Sequence, residues 1–349
     1  GVIHFHTTYS DGSGGYEDVL DCAGSLGLHF AIPSDHNTLK PLEDGWARYH
    51  KGLLVIPAVE HSTGDDRGHY LAVGSTLAPP KSRLRTAEAV YDEGVRNNSL
   101  LFAAHIYHPL HNAWAHWDRP GLTGFELYNL DEQWRYYLAP ARIHRLFASL
   151  FVSLFRDDAL NGVIAYPARQ LRHLDTMSRR EHVSGIGVSD AHAAIPLFKM
   201  NGRKVLLPFP SYSSQFRHVH TVLTSGQPFT GDYTNDRDIV LDSLRRGNCY
   251  VGMAGLENPR GFMFRASNAS AAVVQGDTLA FRESVRLRVS IPDSVNVEMR
   301  LFRDGELVAR EQDVGTYFYD AAAPGVYRVE VFQRRLTLPL FLRRPVPWI

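Results

Sequence analysis

The first two thirds of the chain alternate short apolar runs with helical patterns, and several apolar runs end in residues of metal-ligand type. Runs such as Leu53 to Glu60 and Leu100 to His105 have the length of buried strands, while Tyr16 to Leu26 places its apolar residues on one helical face before Gly27. Strands that alternate with helices predict an α/β domain with a mostly parallel sheet or barrel. Side chains at the strand ends of such a fold converge on one pocket.

The last third of the chain has a different pattern. From Val285 to Ile291 apolar residues alternate with polar ones at a period of two, and the same alternation recurs on both sides of a turn at Asp304-Gly305. We therefore predict an α/β domain over residues 1–258 and a small antiparallel β domain, resembling a sandwich, over 259–349. A helical, Arg-rich insertion is predicted at about 130–181, acting either as a substrate-shaping lid or as a helical support.

Charge and hydropathy exclude some broad classes. The chain has 349 residues, and Lys plus Arg equals Asp plus Glu at 37 each, so its overall charge favours neither nucleic acid nor an anionic membrane surface. No run reaches the ~18 apolar residues that span a bilayer. The longest apolar run, Leu146 to Phe155, is predicted to be a buried or lid helix.

The two cysteines and the first residue bear on the compartment. Cys22 and Cys249 lie far apart without a CxxC partner, which excludes a cysteine-based zinc site and argues against a disulfide framework. We expect both to be buried structural residues. The chain begins at Gly1, directly before the first histidine motif, so we expect it to be incomplete there. Cytoplasmic and exported locations both stay open, as does the oligomeric state.

The candidate metal ligands occur in five short stretches. Residues two apart on a strand point to the same face, so His4 and His6 can bind one cation, as can Asp190 and His192. A carboxylate at the end of an apolar strand, as at Glu60, is costly to bury unless it is paired or bound to a cation, and its two oxygens can bridge two metals. The candidate ligands are His4, His6, Asp11, His36, Glu60, His69, His105, Asp190 and His192.

Several of these positions have alternative interpretations. Asp35 and His36 are adjacent and face opposite sides of a strand, so we assign His36 to the metal and Asp35 to an orienting network around it. Asp11 lies in a turn-rich segment and could form an ordinary Asx turn. His105 and His108 compete for one position, and His105 is preferred because it directly ends an apolar run. Each motif alone is compatible with packing, but their joint occurrence predicts a metal site.

The order of these motifs resembles the polymerase and histidinol phosphatase (PHP) superfamily. The shared motifs over residues 2–255 are HFH followed by SDG, PSDHNT, a strand ending in VE, GHYL and VSDAH. The segments FPSYSSQF, LRRGNCYV and the ending VPWI resemble the CehA/McbA-type branch, named for a carbaryl hydrolase. The resemblance implies a distorted (β/α)7 barrel that holds two to three divalent metal ions, Zn, Mn or Fe.

The resemblance also implies how the ligands divide between the ions. A first ion would be held by His4, His6, Glu60 and Asp190. Glu60 would bridge to a second ion held also by His69 and His105, and a third would be held by Asp11, His36 and His192. Some members of the family have histidine where Asp11 stands, and a carboxylate there weakens the third site or favours Mn or Fe over Zn. His105 is not followed by the proline common in the family, which keeps His108 as an alternative.

These ligands suggest hydrolysis by a hydroxide that bridges two metals, with Glu60, Asp190 and His192 in catalytic roles and His36 as a further group for proton transfer. Phosphate esters suit such a site because several cations can neutralise the oxygens on which charge develops. The predicted partner is therefore a small, phosphorylated ester. The possible substrate contacts are Arg67, Arg119 and Arg203.

Two other functions fit the same sequence. A carboxylic or carbamate ester hydrolase of the carbaryl hydrolase type would use the same hydroxide within an aromatic pocket, for which Tyr107, Trp114, Trp117 and Trp134 are available. A noncatalytic, metal-containing binding protein is the third possibility, against which the intact ligand set argues.

Overall fold

The computed structural model describes residues 1–64, 67–75, 86–108, 113–117, 121–137, 165–200, 203–207, 210–282, 284–337 and 342–349. Of these, residues 134, 195–200, 203–207, 335–337 and 342–344 are described by their backbone alone. The predicted lid segment Leu146 to Phe155 lies outside the described residues. No helix in the described ranges is long and apolar enough to cross a membrane.

Local signals in the sequence account for several of the helix limits. Helix α1 (Tyr16–Ser25) buries Val19, Leu20 and Ala23 on one face, as the apolar spacing predicts. The Thr86 hydroxyl accepts a hydrogen bond from the Ala89 amide at the start of α3 (Ala87–Arg96), and Gly247 ends α7 (Tyr233–Arg246) with a left-handed φ of 68°. The described helices are α1 (Tyr16–Ser25), α2 (Lys40–Glu43), α3 (Ala87–Arg96), α4 (Leu130–Tyr136), α5 (Ala168–Met177), α6 (Tyr212–Phe216) and α7 (Tyr233–Arg246).

The described strands fall into an α/β part and a later antiparallel part. They are β1 (Val2–Ile3), β2 (Phe30–Ile32), β3 (Arg48–His50), β4 (Leu53–Val55), β5 (Ala58–Ser62), β6 (His69–Val73), β7 (Leu100–Ala104), β8 (Gly124–Asn129), β9 (Ser184–Val188), β10 (Ile195–Met200), β11 (Arg203–Leu207), β12 (His220–Leu223), β13 (Cys249–Gly252), β14 (Met263–Ser267), β15 (Ala272–Val274), β16 (Val285–Ser290), β17 (Val297–Arg303), β18 (Glu306–Gln312), β19 (Thr316–Ala321), β20 (Tyr327–Thr337) and β21 (Leu342–Pro347).

Two sheets form the α/β part that positions the candidate ligands. One has the order β1-β2-β4-β3 and the other β5-β6-β7-β8-β9. The pairs β1/β2, β2/β4, β7/β8 and β8/β9 are parallel, whereas β6 runs antiparallel to both of its neighbours. The predicted α/β fold is therefore confirmed, with antiparallel pairs among the parallel ones in both sheets. The single strand predicted from Leu53 to Glu60 is two strands, separated at Ile56-Pro57, because proline has no N–H for the ladder.

Backbone contacts join these two sheets at two places. Phe5 and Ala191 form a parallel bridge beyond β1 and β9, and the Asp190 amide donates to the His4 carbonyl over 2.6 Å. On the other side, His36 and Glu60 form a parallel bridge beyond β2. The ends of β1, β2, β5 and β9 are thereby held next to one another, where their polar side chains meet.

The later part of the chain forms two four-stranded antiparallel sheets, ordered β15-β14-β16-β19 and β18-β17-β20-β21. The period-two pattern is confirmed in β16, where Val285, Leu287 and Val289 are buried and the intervening arginines are exposed. Trp348 is fully buried and donates its indole N–H to the Glu257 carbonyl over 3.0 Å. One apolar cluster that includes Trp348 extends from these sheets to Tyr128 and Tyr250 of the α/β part.

The cysteines differ from the prediction in one respect. Cys249 is buried at the start of β13 as expected, but Cys22 is only half-buried. Cys22 lies on α1 one residue before the buried Ala23 and three after Val19, so it falls at the edge of the helix's buried face.

Candidate metal centre

The nine candidate ligands come together at the strand ends. His4 and His6 follow β1, and Asp11 lies in the turn beyond them. The next residues along the chain are placed at the same end of the sheets: His36 after β2, Glu60 in β5, His69 at the start of β6, His105 after β7, and Asp190 and His192 after β9. Because β6 runs antiparallel to its neighbours, its first residue lies beside the last residues of β7. Five separated stretches of sequence thus supply one cluster.

A first group of donor atoms consists of His4 Nε2, His6 Nε2, Asp190 Oδ1 and Glu60 Oε2. The two Nε2 atoms are 3.2 Å apart, each lies 3.1 Å from Glu60 Oε2, and they lie 3.4 and 3.2 Å from Asp190 Oδ1. His4 Nε2, His6 Nε2 and Asp190 Oδ1 lie close enough to one another to hold one metal ion, and Glu60 Oε2 lies beside the two histidine nitrogens. Nitrogen and oxygen donors of this kind are ligands that zinc takes in proteins.

A second group surrounds the other oxygen of the same carboxylate. Glu60 Oε1 lies 2.6 Å from His69 Nδ1 and 2.9 Å from His105 Nε2, and these two nitrogens are 3.2 Å apart. The two oxygens of Glu60 therefore face two different sets of histidines. Each oxygen therefore has its own set of nitrogen donors.

A third group is wider and more open. Asp11 Oδ1 lies 3.4 Å from His192 Nε2 and 3.7 Å from both His36 Nε2 and His6 Nδ1. The Asp11 side chain is 57% exposed, so this group faces solvent. His192 Nδ1 lies 2.9 Å from the Asp190 carbonyl, which can only accept, so Nδ1 carries the proton and Nε2 is left as a donor atom for a metal.

Both buried carboxylates are held in their charged form. Burial favours the neutral acid, but the neighbouring histidines outweigh it and hold the pKa of Glu60 and of Asp190 well below the usual range. Burial likewise opposes charge on His6 and His105, yet nearby carboxylates raise the pKa of His6 to about 10 and that of His105 to about 9. The cluster therefore stabilises positive charge at its centre.

Three buried polar atoms of the candidate ligands make no hydrogen bond within the described part of the chain. They are His105 Nδ1, Glu60 Oε2 and His36 Nδ1, of which the last two lie 3.1 Å from each other. Burial lowers the pKa of His36 to about 4, so its ring is neutral near pH 7. Buried polar groups without partners are rare because they lose their hydration without compensation. A carboxylate oxygen and a neutral imidazole nitrogen left in this way fit a divalent cation.

Three of the ligand residues have left-handed backbones. The φ angles are 57° for His4, 31° for His105 and 50° for Asp190, a region that costs a non-glycine residue roughly 1–3 kcal/mol. Each of these residues directly follows a strand or lies two positions beyond it, so the chain turns sharply there and aims the side chain into the cluster. Such strain persists only where the surrounding contacts hold it.

The structure adds Glu126, which was not among the predicted site residues. Its Oε1 lies 2.5 Å from His4 Nδ1, and its Oε2 accepts a hydrogen bond of 2.5 Å from the His105 amide. The signal in the sequence was a glutamate inside the apolar strand GFELYN, where an ionised group needs compensation. Arg135 was also missed; it pairs with Asp131, one turn earlier on α4.

Asp35 lies beside the turn between His6 and Asp11. Its carboxylate accepts hydrogen bonds of 2.8 Å from the amide and the hydroxyl of Thr7 and of 2.6 Å from the Ser10 hydroxyl. These contacts hold the turn that carries Asp11. Asp35 therefore orients the segment between two ligands rather than a ligand itself.

The structure places the competing histidine and the aromatic candidates as follows. His105 contributes Nε2 to the second group, while the ring of His108 lies 5.7 Å from that of His105. Trp114 is buried against Tyr70 and Trp117 packs against His173, which are core contacts. The Arg169 guanidinium lies 4.1 Å above the Tyr107 ring.

The predicted substrate contacts are Arg67, Arg119 and Arg203. Arg67 is exposed, and its carbonyl accepts a hydrogen bond from the Ala115 amide. Arg119 lies outside the described residues, and the side chains of Arg203 and Trp134 are not among those described. Their roles as substrate contacts stay predictions.

Comparison with known proteins yields matches among solved structures alone, since no protein-family model and no curated protein matches the chain. A two-domain protein from Bacteroides vulgatus, containing a predicted PHP-like metal-dependent phosphoesterase, is 12% identical, with 99% of this chain and 93% of that chain covered and a TM-score of 0.46. A protein from Bifidobacterium adolescentis assigned as a metal-dependent phosphoesterase is 16% identical, with coverages of 70% and 96% and a TM-score of 0.39.

An amidohydrolase from Chromobacterium violaceum, solved with sulfate and without metal, is 13% identical, with 55% of this chain and 87% of that chain covered and a TM-score of 0.35. The CehA/McbA-type branch stays a prediction. Because the TM-scores are below 0.5, we base the function on the geometry of the site.

Proposed function

We propose that the chain is a metal-dependent hydrolase that acts on phosphate esters at a centre of two or three divalent cations. The observation that carries this proposal is the division of the Glu60 carboxylate, whose Oε2 faces His4 and His6 and whose Oε1 faces His69 and His105. A buried carboxylate with histidine nitrogens on both oxygens is well suited to bridge two cations and poorly suited to a packing role.

The residues would divide as follows. His4, His6, Asp190 and Glu60 would hold one ion. Glu60, His69 and His105 would hold a second, and Asp11, His36 and His192 a third. When bound, such ions lower the pKa of a water molecule towards neutrality and neutralise charge that develops on the phosphoryl oxygens. Their identity among Zn, Mn and Fe is part of the proposal, as is the third ion.

The residues on the solvent side of the cluster would receive the substrate. The His36 and His192 side chains are 25% and 19% exposed and flank the more exposed Asp11, whereas His4, His6 and Glu60 are buried. A substrate would therefore approach from the side of Asp11. Of the groups considered for proton transfer, His36 and His192 can reach a leaving group on that side, while Glu60 and Asp190 would remain charged and hold the cations.

A preference for an anionic phosphoryl group is supported by Arg135. Burial opposes its charge, but the carboxylates of Asp131, Asp190 and Asp11 raise its pKa, so Arg135 stays cationic in its pair with Asp131. A guanidinium there can contact phosphoryl oxygens in a bidentate manner. Arg135 therefore joins Arg67, Arg119 and Arg203 as a proposed substrate contact.

We also infer that the strands close into the distorted (β/α)7 barrel that the family resemblance implies. In order around the barrel, the strands would be β1, β2, β4 continued by β5, β6, β7, β8 and β9. Strand β9 would then lie beside β1. The bridges Phe5–Ala191 and His36–Glu60 support its closure. The domain limits 1–258 and 259–349, and a helical insertion at about 130–181, belong to the same proposal.

The proposal is tested by metal analysis together with a substrate screen. Purified protein would be analysed for bound metal by mass spectrometry and assayed on phosphomonoesters, phosphodiesters and carboxyl esters, with and without added Mn²⁺ or Zn²⁺. We expect bound metal and metal-dependent phosphoester turnover, both lost in the triple variant His4→Ala, His6→Ala, Glu60→Ala. The control is His182→Ala, since His182 contacts the Arg246 and Gly276 carbonyls instead.

The other outcomes distinguish the alternatives. Turnover of carboxyl or carbamate esters alone would replace the phosphoesterase with the second candidate, and bound metal without any turnover would replace it with a binding protein. Absence of bound metal, or hydrolysis that persists in a folded triple variant, would contradict the metal centre itself.

A further inference from the structure

Strand β8 lies between β7 and β9, both of which end in ligands, yet it contributes none to the predicted set. Its polar side chains Glu126 and Asn129 are each 1% exposed. A carboxylate at that depth is costly to bury unless strong contacts compensate it. The contacts of Glu126 and Asn129 therefore identify what β8 does for the site.

Glu126 touches two ligand residues that belong to different groups. Oε1 lies 2.5 Å from His4 Nδ1, in the first group, and Oε2 accepts from the His105 amide, in the second, over 2.5 Å. Oε2 also accepts a 2.8 Å hydrogen bond from Asn129 Nδ2, which in turn lies 3.1 Å from Asp190 Oδ2. One strand thus holds ligands that come from three others.

The contact with His4 determines which nitrogen can bind a metal. An ionised carboxylate can only accept, so the proton of a neutral His4 resides on Nδ1 and the lone pair on Nε2. Nε2 is the atom that lies 3.1 Å from Glu60 Oε2 and 3.2 Å from His6 Nε2. Carboxylates in this position commonly fix the tautomer and ring orientation of metal-binding histidines.

The contact with His105 holds a strained backbone. His105 directly follows β7 with a φ of 31°, outside the range that a histidine readily adopts. Its amide points at Glu126 Oε2, and a hydrogen bond to an ionised acceptor is stronger than one between neutral groups. This bond compensates the strain and keeps the His105 ring directed at Glu60 Oε1.

We propose that Glu126 is a positioning residue that presets both His4 and His105 for metal binding, with Asn129 extending the same support to Asp190. The inference rests on the proposed metal centre. In such a centre, the Glu126 carboxylate connects the first and second groups. The bridging carboxylate of Glu60 connects them as well.

Glutamine at position 126 tests the inference because no orientation of its amide satisfies both contacts. If its oxygen accepts from His4 Nδ1, its NH₂ faces the His105 amide, and two donors oppose each other. If it is turned around, the NH₂ donates to His4 Nδ1 and moves the histidine proton to Nε2, which then cannot bind a metal. We expect Glu126→Gln to lower Zn²⁺ affinity by roughly 10- to 100-fold.

Affinity would be measured by competition of Zn²⁺ with a chromophoric chelator for the parent and variant proteins, with folding followed by circular dichroism. The matched control is Glu298→Gln, which alters an equally buried strand glutamate paired with Arg300 and Arg310 in the antiparallel part. We expect the control to bind Zn²⁺ as the parent does. A folded Glu126→Gln protein with unchanged affinity would overturn the inference, whereas a parent that binds no Zn²⁺ would instead overturn the metal centre.

A second measurement does not depend on the variant folding. In the Zn²⁺-loaded parent with ¹⁵N-labelled histidine, NMR distinguishes protonated from metal-bound ring nitrogens. We expect a protonated Nδ1 and a bound Nε2 for His4, assigned with the His4→Ala variant. Coordination through Nδ1, or an unprotonated Nδ1, would overturn the inference.

Discussion

His69 Nδ1 lies 2.6 Å from Glu60 Oε1 across the antiparallel strands β5 and β6. The register pairs Glu60 with Leu71 and Ser62 with His69, so Glu60 and His69 are diagonal neighbours on the same face of the sheet. This pairing directs one oxygen of the carboxylate to the second group and leaves the other for His4 and His6. The first and second groups therefore both depend on the charge and the two oxygens of Glu60.

Glu60→Gln should release metal from both groups that share this side chain. An amide has one acceptor oxygen and no negative charge, so it cannot replace a bridging carboxylate. We expect bound metal, measured by mass spectrometry on folded protein, to fall by about two ions per chain, and hydrolysis to be lost. Retention of the parent's metal content by the variant would show that Glu60 does not bridge.

Metal affinity should rise with pH. In the metal-free protein the pKa of His6 is about 10 and that of His105 about 9, because nearby carboxylates outweigh the effect of burial. Both rings therefore carry an extra proton near pH 7, and a metal ion must displace it. Below the histidine pKa, the apparent metal affinity rises by up to about tenfold per pH unit for each proton that the metal displaces. Zn²⁺ titrations at several pH values between 6 and 9 measure this, and a pH-independent affinity would contradict it.

Asp11→Asn should affect the third group alone. Asp11 is largely exposed and lies 3.4 to 3.7 Å from its histidines, whereas the first two groups are buried and closer. We expect about one metal ion fewer per chain, with the other ions retained. Metal content and phosphoester turnover would be measured together, and the loss of every ion would show that the three groups are not separable.

Ionisation of Glu132 should lower the free energy of unfolding as the pH rises from about 4.5 to 7. Burial raises its pKa from 4.5 to about 7, and its carboxyl accepts a 2.8 Å hydrogen bond from the Gln170 amide group. A raised pKa favours the folded state while the group is protonated, so this contribution is fully present below pH 4.5 and is lost as the pH rises through 7. The difference between these two pKa values corresponds to about 3 kcal/mol in the free energy of unfolding.

The matched variant for this prediction is Glu132→Gln, which cannot ionise. The free energy of unfolding of metal-free protein would be measured with urea at pH 5 and at pH 8 for parent and variant. We expect the parent to lose more stability than the variant between these values. Equal losses would show that Glu132 ionises with an ordinary pKa.

Trp348→Ala should destabilise the protein by about 3–5 kcal/mol, the usual cost of truncating a buried tryptophan. Its side chain is fully buried in the cluster that joins the antiparallel sheets to the α/β part, and its indole N–H is hydrogen-bonded. Urea unfolding measures the loss. Phe318→Ala, at a residue 55% exposed, is the control and should change stability little.

The sequence by itself determined the local features of this protein. The end of α1 before Gly27 followed from the chemistry of helix caps, and the common face of His4 and His6 followed from the period of a strand. The assignment of His36 rather than Asp35 to the cluster followed from their opposite directions. These properties depend on neighbours within a few residues, which a sequence displays directly.

The tertiary structure decided what depends on distances between strands. It divided the oxygens of Glu60 between two groups of histidines, and it connected Glu126 to His4 and His105 across neighbouring strands. A glutamate in an apolar run signals only that its charge needs a partner. Which partner it meets is set by strand order and register, and by the left-handed turns after the strands, none of which follows from local spacing.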